Sequence, residues 1–296
     1  KTLLLICLMA APVAAQVPYD RILNAASEPG SWLTYSGTYG AQRYSTLDQI
    51  TRDNVDRLQP AWIYQTRSSQ KFEVSPLVVD GVMYITEPPS SVIALDAGTG
   101  RPYWRYDHPL PDELNYCCGQ ANRGVAIQGD RLFMSTLDAH VVALDARTGR
   151  RAWHFQMVHH GVWEFDNMGA PVLGDFTVDG RRVQAVMLTN KNAFLYVLDR
   201  VTGEPVWPIE ERAVPQSPRV PGEQLSPTQP FPTKPAPFDR QGITEDDLID
   251  FTPELRAEAL ELVANFRLGP IFTPPVVADP NGRYGTLMLP STSGGT

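Results

Sequence analysis

Ala94-Leu95-Asp96-Ala97-Gly98-Thr99-Gly100, with Trp104 shortly after, decides the fold, because the chain repeats it. The second copy is Ala143-Leu144-Asp145-Ala146-Arg147-Thr148-Gly149 with Trp153, and the third is Val197-Leu198-Asp199-Arg200-Val201-Thr202-Gly203 with Trp207. In each copy Asp precedes Trp by eight residues, and successive Asp residues stand 49 and 54 positions apart. Trp62, in Leu58-Gln59-Pro60-Ala61-Trp62, ends a fainter earlier copy. A period of roughly 50 residues signals a repeat architecture such as a propeller.

Each copy reads as short strands. Pro76–Val79, Gly81–Ile85, Val92–Leu95 and Pro102–Tyr106 are β-prone runs, with Asp80-Gly81 as a hairpin signal and Asp96–Gly100 as a turn. Gly129-Asp130 and Asp179-Gly180 punctuate the later copies in the same way. Four strands per unit make one propeller blade. The Asp and Thr side chains of each turn can bond the local backbone, Gly takes a positive φ, and the Trp packs between neighbouring blades. An unrelated β-sandwich is the bland alternative, and three copies of one turn argue against it. The expected class is all-β: part of a propeller, with a Pro-rich excursion and one short helix.

Working outward, the 27 prolines and 22 glycines are too many for a helical bundle and too irregular for collagen. With 43% hydrophobic and 20% charged residues the chain can bury a core, which excludes disorder throughout. A net charge of −8 shows no basic face, so no nucleic-acid partner is expected. Lys1 followed by Leu3-Leu4-Leu5-Ile6-Cys7-Leu8-Met9-Ala10 and Val13-Ala14-Ala15 reads as a signal peptide over residues 1–15, with a buried N-terminal element as the alternative. Export to the periplasm follows. No later run reaches the ~18 apolar residues of a membrane span. Blades are expected over 16–207. Nine prolines between Pro208 and Pro237 then predict an extended surface excursion. Thr252-Pro253-Glu254 predicts an N-cap with Pro at the first helical position, and a helix stopped around Gly269-Pro270 completes an insertion over 208–270. Strands are expected to resume in 271–296, at Val276-Val277 and Thr286–Leu289.

Cys117 and Cys118 are adjacent. Cα atoms ~3.8 Å apart are closer than an ordinary disulfide prefers, so a bond here closes a strained ring, while a pair of packed thiols is the alternative. His159 and His160 lack a third ligand at zinc-like spacing and read better as loop residues.

Cys117-Cys118-Gly119-Gln120-Ala121-Asn122-Arg123-Gly124, then Ser135–His140, His159-His160-Gly161-Val162-Trp163-Glu164-Phe165-Asp166, Asn190-Lys191-Asn192-Ala193-Phe194, Ser226–Phe231 and Phe272–Pro275 together resemble the quinoprotein dehydrogenases. These oxidise alcohols or sugars with pyrroloquinoline quinone (PQQ) and a metal ion. The resemblance spans nearly the whole chain after residue 15. It implies an eight-bladed propeller with the cofactor near its axis, and a Cys117–Cys118 ring against one face of the quinone. It implies Arg123 on the cofactor's polar edge and Lys191 beside its reactive oxygens. The 27 residues from Glu164 to Lys191 match the glucose-type members. Glu164 stands where the family has its Asp base, and is expected to take the substrate's hydroxyl proton. Glu164 and Asp166 are the expected metal ligands, for Ca²⁺ or a lanthanide, with Asp166 equally readable as a loop residue. An alcohol or aldose substrate, a quinone or cytochrome c as electron acceptor, and peripheral membrane association belong to the same expectation.

The departures are as informative. Trp153-His154-Phe155 runs almost directly into His159-His160, where the family has further blades, so blades are expected to be missing at about 156–159. Those blades would carry metal ligands and the Trp on the quinone's second face. Two functions therefore stand: a PQQ-dependent dehydrogenase represented by an incomplete chain, or an inactive propeller fragment acting as a structural or binding module.

Overall fold

The computed structural model describes residues 17–112, 114, 119–165, 167, 169–216, 222–279, 282 and 284–290. The expected signal peptide lies outside them. The chain divides into two compact units, the first made of Lys1–Pro109, Tyr116–Met134 and Ala143–Ala152, the second of Leu110–Asn115, Ser135–Val142 and Trp153–Thr296.

In the first unit, β1 (Leu77–Val79), β2 (Val82–Glu87), β3 (Ser91–Asp96) and β4 (Pro102–Asp107) form a four-stranded antiparallel meander in chain order. β3 is apolar and buried on both faces, from Val92 through Leu95. β4, at the edge, carries Arg105, whose guanidinium pairs with the fully buried Glu87 of β2. A second four-stranded sheet follows in the order β5 (Ala126–Gln128), β6 (Arg131–Ser135), β7 (His140–Asp145), β8 (Arg151–Gln156). A short helix, α1 (Tyr19–Leu23), precedes the strands and was not expected. It starts after Pro18 with no side-chain cap and buries only Ile22, so its five residues carry no helical periodicity to read.

The repeated turns do what their residues dictate. The Asp96 carboxylate accepts from the backbone N–H of Gly98 (3.0 Å) and Thr99 (2.8 Å), and Gly100 closes the turn at φ +72°. Asp145 with Gly149 and Asp199 with Gly203 do the same. Each glycine has an indole against it. A Cβ added at Gly100 would fall 2.4 Å from Trp62, one at Gly149 2.5 Å from Trp104, and one at Gly203 2.7 Å from Trp153. Each indole N–H also donates into the same turn: Trp62 to Ala97 O, Trp104 to Ala146 O, Trp153 to Arg200 O, at 3.1–3.2 Å. The repeat is thus a staple, in which the Trp of one copy closes over the turn of the next.

The second unit departs from the expected pattern. The third copy gives three strands, β9 (Val172–Val178), β10 (Arg181–Thr189) and β11 (Leu195–Asp199), in the order β11-β10-β9. The fourth place holds a single bridge from Leu198 to Pro205, since proline cannot donate to a ladder. Trp207 stacks on Phe176 of its own sheet (centroids 6.3 Å apart). The Pro-rich stretch is not a mere surface excursion. β12 (Ile209–Ala213) pairs with β13 (Thr228–Pro232), and Gln229 is fully buried. Pro227 and Pro208 carbonyls accept from Val214 and Thr233, so odd-numbered residues of β13 face β12. Pro230 and Pro232 therefore turn their missing donors away from the ladder.

The expected helix is present as α2 (Pro253–Val263), with the Thr252 hydroxyl capping Leu255 N–H. It stops at Val263, well before Gly269-Pro270. After it, β14 (Phe266–Arg267) pairs in parallel with β15 (Gly285–Thr286), and Val276-Val277 are not a strand. No helix among the described residues is long and apolar enough to cross a membrane.

Candidate functional site

In the second unit Lys191 sits in the turn between β10 and β11. The turn is fixed from within: Asn190 Oδ1 accepts from Asn192 N–H (2.9 Å), Asn192 Oδ1 from Phe194 N–H (3.0 Å), and Ala193 takes φ +64°. Asn residues favour such turns because their side chains imitate a backbone turn. Both asparagines are fully buried. Asn192 Nδ2 reaches the Tyr196 hydroxyl (3.1 Å), which donates to Met157 O (2.7 Å). Burial holds the Tyr196 phenol well above its usual range, so it stays neutral as a donor. The Lys191 side chain leaves this rigid base with 8% exposure.

Glu164 is aimed by its neighbours. Trp163 and Phe165 are buried on either side and stack on one another (6.2 Å, 14°), and Phe272 meets both edge-on. Trp163 Nε1 donates to Thr273 O at 3.0 Å. To bury two consecutive alternate rings the backbone takes φ +56° at Glu164, a conformation that is unfavourable for a residue with a Cβ. The carboxylate is left 43% exposed, 3.8 Å from Lys191 Nζ. Asn190 joins the two segments, with Nδ2 donating to Phe165 O (3.0 Å) and to Asn167 Oδ1 (2.7 Å). The result is an acid and an ammonium held side by side, one half open to solvent and the other nearly enclosed. Such a pair can take a proton from a hydroxyl and can hold an anionic oxygen nearby.

The two histidines are anchors within the second unit. His159 meets Glu211 (2.9 Å) and Gln156 (3.1 Å), and its N–H donates to Gln229 Oε1 (2.9 Å), while His160 meets Glu223 (2.5 Å).

The other expected site residues belong to the first unit or are not described. Arg123 lies in the first unit, 49% exposed, with its guanidinium 3.4 Å from Glu73. Its backbone is pinned, Ser75 N–H donating to Arg123 O and Thr86 Oγ1 to Asn122 O. Gly124 beside it could not be replaced freely, since an added Cβ would stand 3.0 Å from Ser75 O at φ +125°. Cys117, Cys118 and Asp166 lie outside the described residues. What the sequence reading missed is Asn190. The motif gives a role only to Lys191, although Asn-x-Asn between two β-prone runs is a legible turn signal.

The family model described as PQQ, glucose/ethanol/alcohol dehydrogenase, β-propeller domain, matches residues 32–140 and 128–296. The quinoprotein ethanol dehydrogenase of Pseudomonas aeruginosa is 35% identical over 206 residues, 67% of this chain and 32% of that protein. The quinohemoprotein alcohol dehydrogenase ADH-IIG of Pseudomonas putida is 44% identical over 133 residues, 44% of this chain and 18% of that one. Among solved structures, ADHIIG from Pseudomonas putida superposes with TM-score 0.54 at 35% identity, covering 65% of this chain and 28% of that chain. A europium-containing methanol dehydrogenase superposes with TM-score 0.51 at 32% identity, covering 64% and 33%. The chain thus spans about a third or less of the length of the curated relatives it matches. With the repeated sheets, the Trp staples and a family match over most of its residues, the chain belongs to the PQQ-dependent glucose/ethanol/alcohol dehydrogenase β-propeller family.

Proposed function

We propose that the chain is the cofactor-gripping portion of an exported PQQ-dependent alcohol dehydrogenase whose full ring has eight blades. The observation that carries this reading is the Lys191–Glu164 pair on its asparagine-locked turn. PQQ is a flat tricarboxylate, and a nearly enclosed ammonium on a rigid base fits such an anion, because fixed donors bind oxyanions without paying to be ordered. When bound, PQQ supplies a two-electron acceptor for the hydride that leaves the alcohol carbon. Lys191 holds the oxygen edge of the ligand. Glu164 receives the hydroxyl proton at a carboxylate oxygen, and its half-open position gives that proton a way out to water. Arg123 is proposed as a second cation for the carboxylates, and Cys117 with Cys118 as the sulfur platform under the ring.

The metal is only half provided for. A hard cation such as Ca²⁺ takes ~6–8 oxygens. Around Glu164 the described residues bring one carboxylate and a competing ammonium. Asp166 and residues absent from this chain are proposed to supply the rest, and no step is derived through the ion. Blades missing near 156–159 are proposed from the direct run of Trp153-His154-Phe155 into His159-His160. The named relatives act on ethanol, methanol or alcohols, which favours an alcohol over an aldose. A quinone or cytochrome acceptor and a periplasmic site rest on the family and on the apolar N-terminus. The second reading, a propeller piece that only binds or scaffolds, is favoured by the single described carboxylate at the expected metal position, already beside an ammonium.

Titrating the purified chain with PQQ, followed by quenching of tryptophan fluorescence, tests the proposal. Saturable binding is expected, weakened about tenfold by Lys191→Ala, the loss of one charge-assisted contact. Absence of binding, or a Lys191→Ala chain that binds as tightly, would overturn it. Dye reduction by ethanol or glucose after adding Ca²⁺ or La³⁺ then separates enzyme from binding module, and alcohol from aldose.

A further inference from the structure

The PQQ reading leaves α2 unused. This helix has no buried side chain, yet it is strongly specified. Thr252 caps it, Pro253 starts it, and Thr244 with Asp247 forms a capping box just before it. Arg256 ties it to its lead-in, with Nη1 donating to Glu245 O (2.6 Å) and Leu248 O (3.2 Å). Such capping holds a helix in place without help from packing.

What it holds outward is unusual. Ile249, Phe251, Leu255 and Leu262 are all exposed, Phe251 to 83%. At about 100° per residue, Leu255 and Leu262 make one stripe and Glu254, Glu258 and Glu261 the stripe beside it. Arg256, Leu260 and Val263 point to the opposite, partly covered side. Between residues 245 and 263 seven carboxylates stand against one arginine, a net charge of −6, with Asp247 also meeting Arg240 at 3.4 Å.

We propose that residues 245–263 form a docking surface for a small protein whose lysine-rich face surrounds an apolar centre, a cationic carrier of the cytochrome c kind. Charge complementarity selects the occupant. A second copy meeting this face with its own would set like charges against each other, and an anionic lipid surface would be repelled for the same reason. A basic protein is steered in by the concentrated charge, and Phe251 with its neighbours gives it an apolar contact to rest on. That the carrier accepts electrons rests on the dehydrogenase reading, whereas the docking itself does not.

The test uses the whole chain without PQQ or metal. Calorimetric titration at low salt with a cationic cytochrome c is expected to show saturable one-to-one binding, and none with the same cytochrome after its lysines are acetylated. Reversing charge with Glu258→Lys and Glu261→Lys should weaken binding about tenfold, and Phe251→Ser about fivefold, while Glu204→Lys, outside the surface, should change it less than about twofold. No saturable binding, or binding that the α2 variants leave unchanged, overturns the proposal. Self-association in sedimentation that the same variants abolish also overturns it, and gives the face to a second copy. Since no cofactor takes part, failure here leaves the PQQ titration untouched, and failure there leaves this result untouched.

Discussion

Glu164 combines two properties that pull against each other. Its left-handed backbone costs ~1–2 kcal/mol for a residue with a Cβ, and its carboxylate is the base proposed to take the substrate proton. A glycine there would relieve the backbone and lose the base. Glu164→Gly is therefore expected to stabilise the chain by about 0.5–1 kcal/mol, part of the relief being offset by glycine's looser unfolded state. In the proposed dehydrogenase it should abolish turnover. Urea denaturation with a parallel dye assay checks both, and a destabilised Glu164→Gly chain would mean that the carboxylate is structural. From sequence, Glu164 was legible by its place after Trp163, and Lys191 by its motif. Their pairing was not, because it depends on a hydrogen bond from Asn190 to a backbone carbonyl, which leaves no pattern in residue type.

The element that matters most is the turn with its glycine under an indole. At Gly149 a methyl group would strike Trp104 and would also require a positive φ. Gly149→Ala is expected to cost about 2–4 kcal/mol, measured by thermal or urea unfolding, against ~1 kcal/mol or less at the open Gly180 hairpin if its φ strain alone counts. The repeat was readable because Asp, Gly and Trp each have one chemical task in it. The third sheet was misread for the same reason: Trp207 kept the spacing, but Glu204-Pro205 cannot continue the ladder and the ring turned back onto Phe176. The β12–β13 pair was hidden because nine prolines read as an unpaired coil, whereas the alternate placing of Pro230 and Pro232 leaves one edge intact.

For the molecule as a whole, acid should be the condition that undoes it first. Asp96 is held below the usual carboxylate range by the Tyr103 hydroxyl and then by Thr99. Asp145 and Asp175 are also lowered, burial opposing the hydrogen bonds from Thr148 and from Arg200 that prevail. Groups with folded values below their unfolded ones stabilise fully above about pH 4 and lose that contribution as pH falls through the folded values. Unfolding temperature is thus expected to be nearly flat from about pH 8 to 5 and to fall steeply below about pH 4, less steeply in Asp145→Asn. A flat profile into strong acid would show that the turns do not govern stability. The staple at Trp62 reaches further than stability. Trp104 and Trp153 act from outer strands of complete sheets, whereas Trp62 acts from a segment that no described strand joins. There Trp62 and Tyr64 face inward on Ile85, Ile93 and Leu95, while Ile63 between them is 86% exposed. The segment alternates inward and outward side chains as a strand does, and among the described residues no strand pairs with it, an arrangement that invites an extended peptide to add along it. Handling this polypeptide alone therefore means handling an adhesive seam.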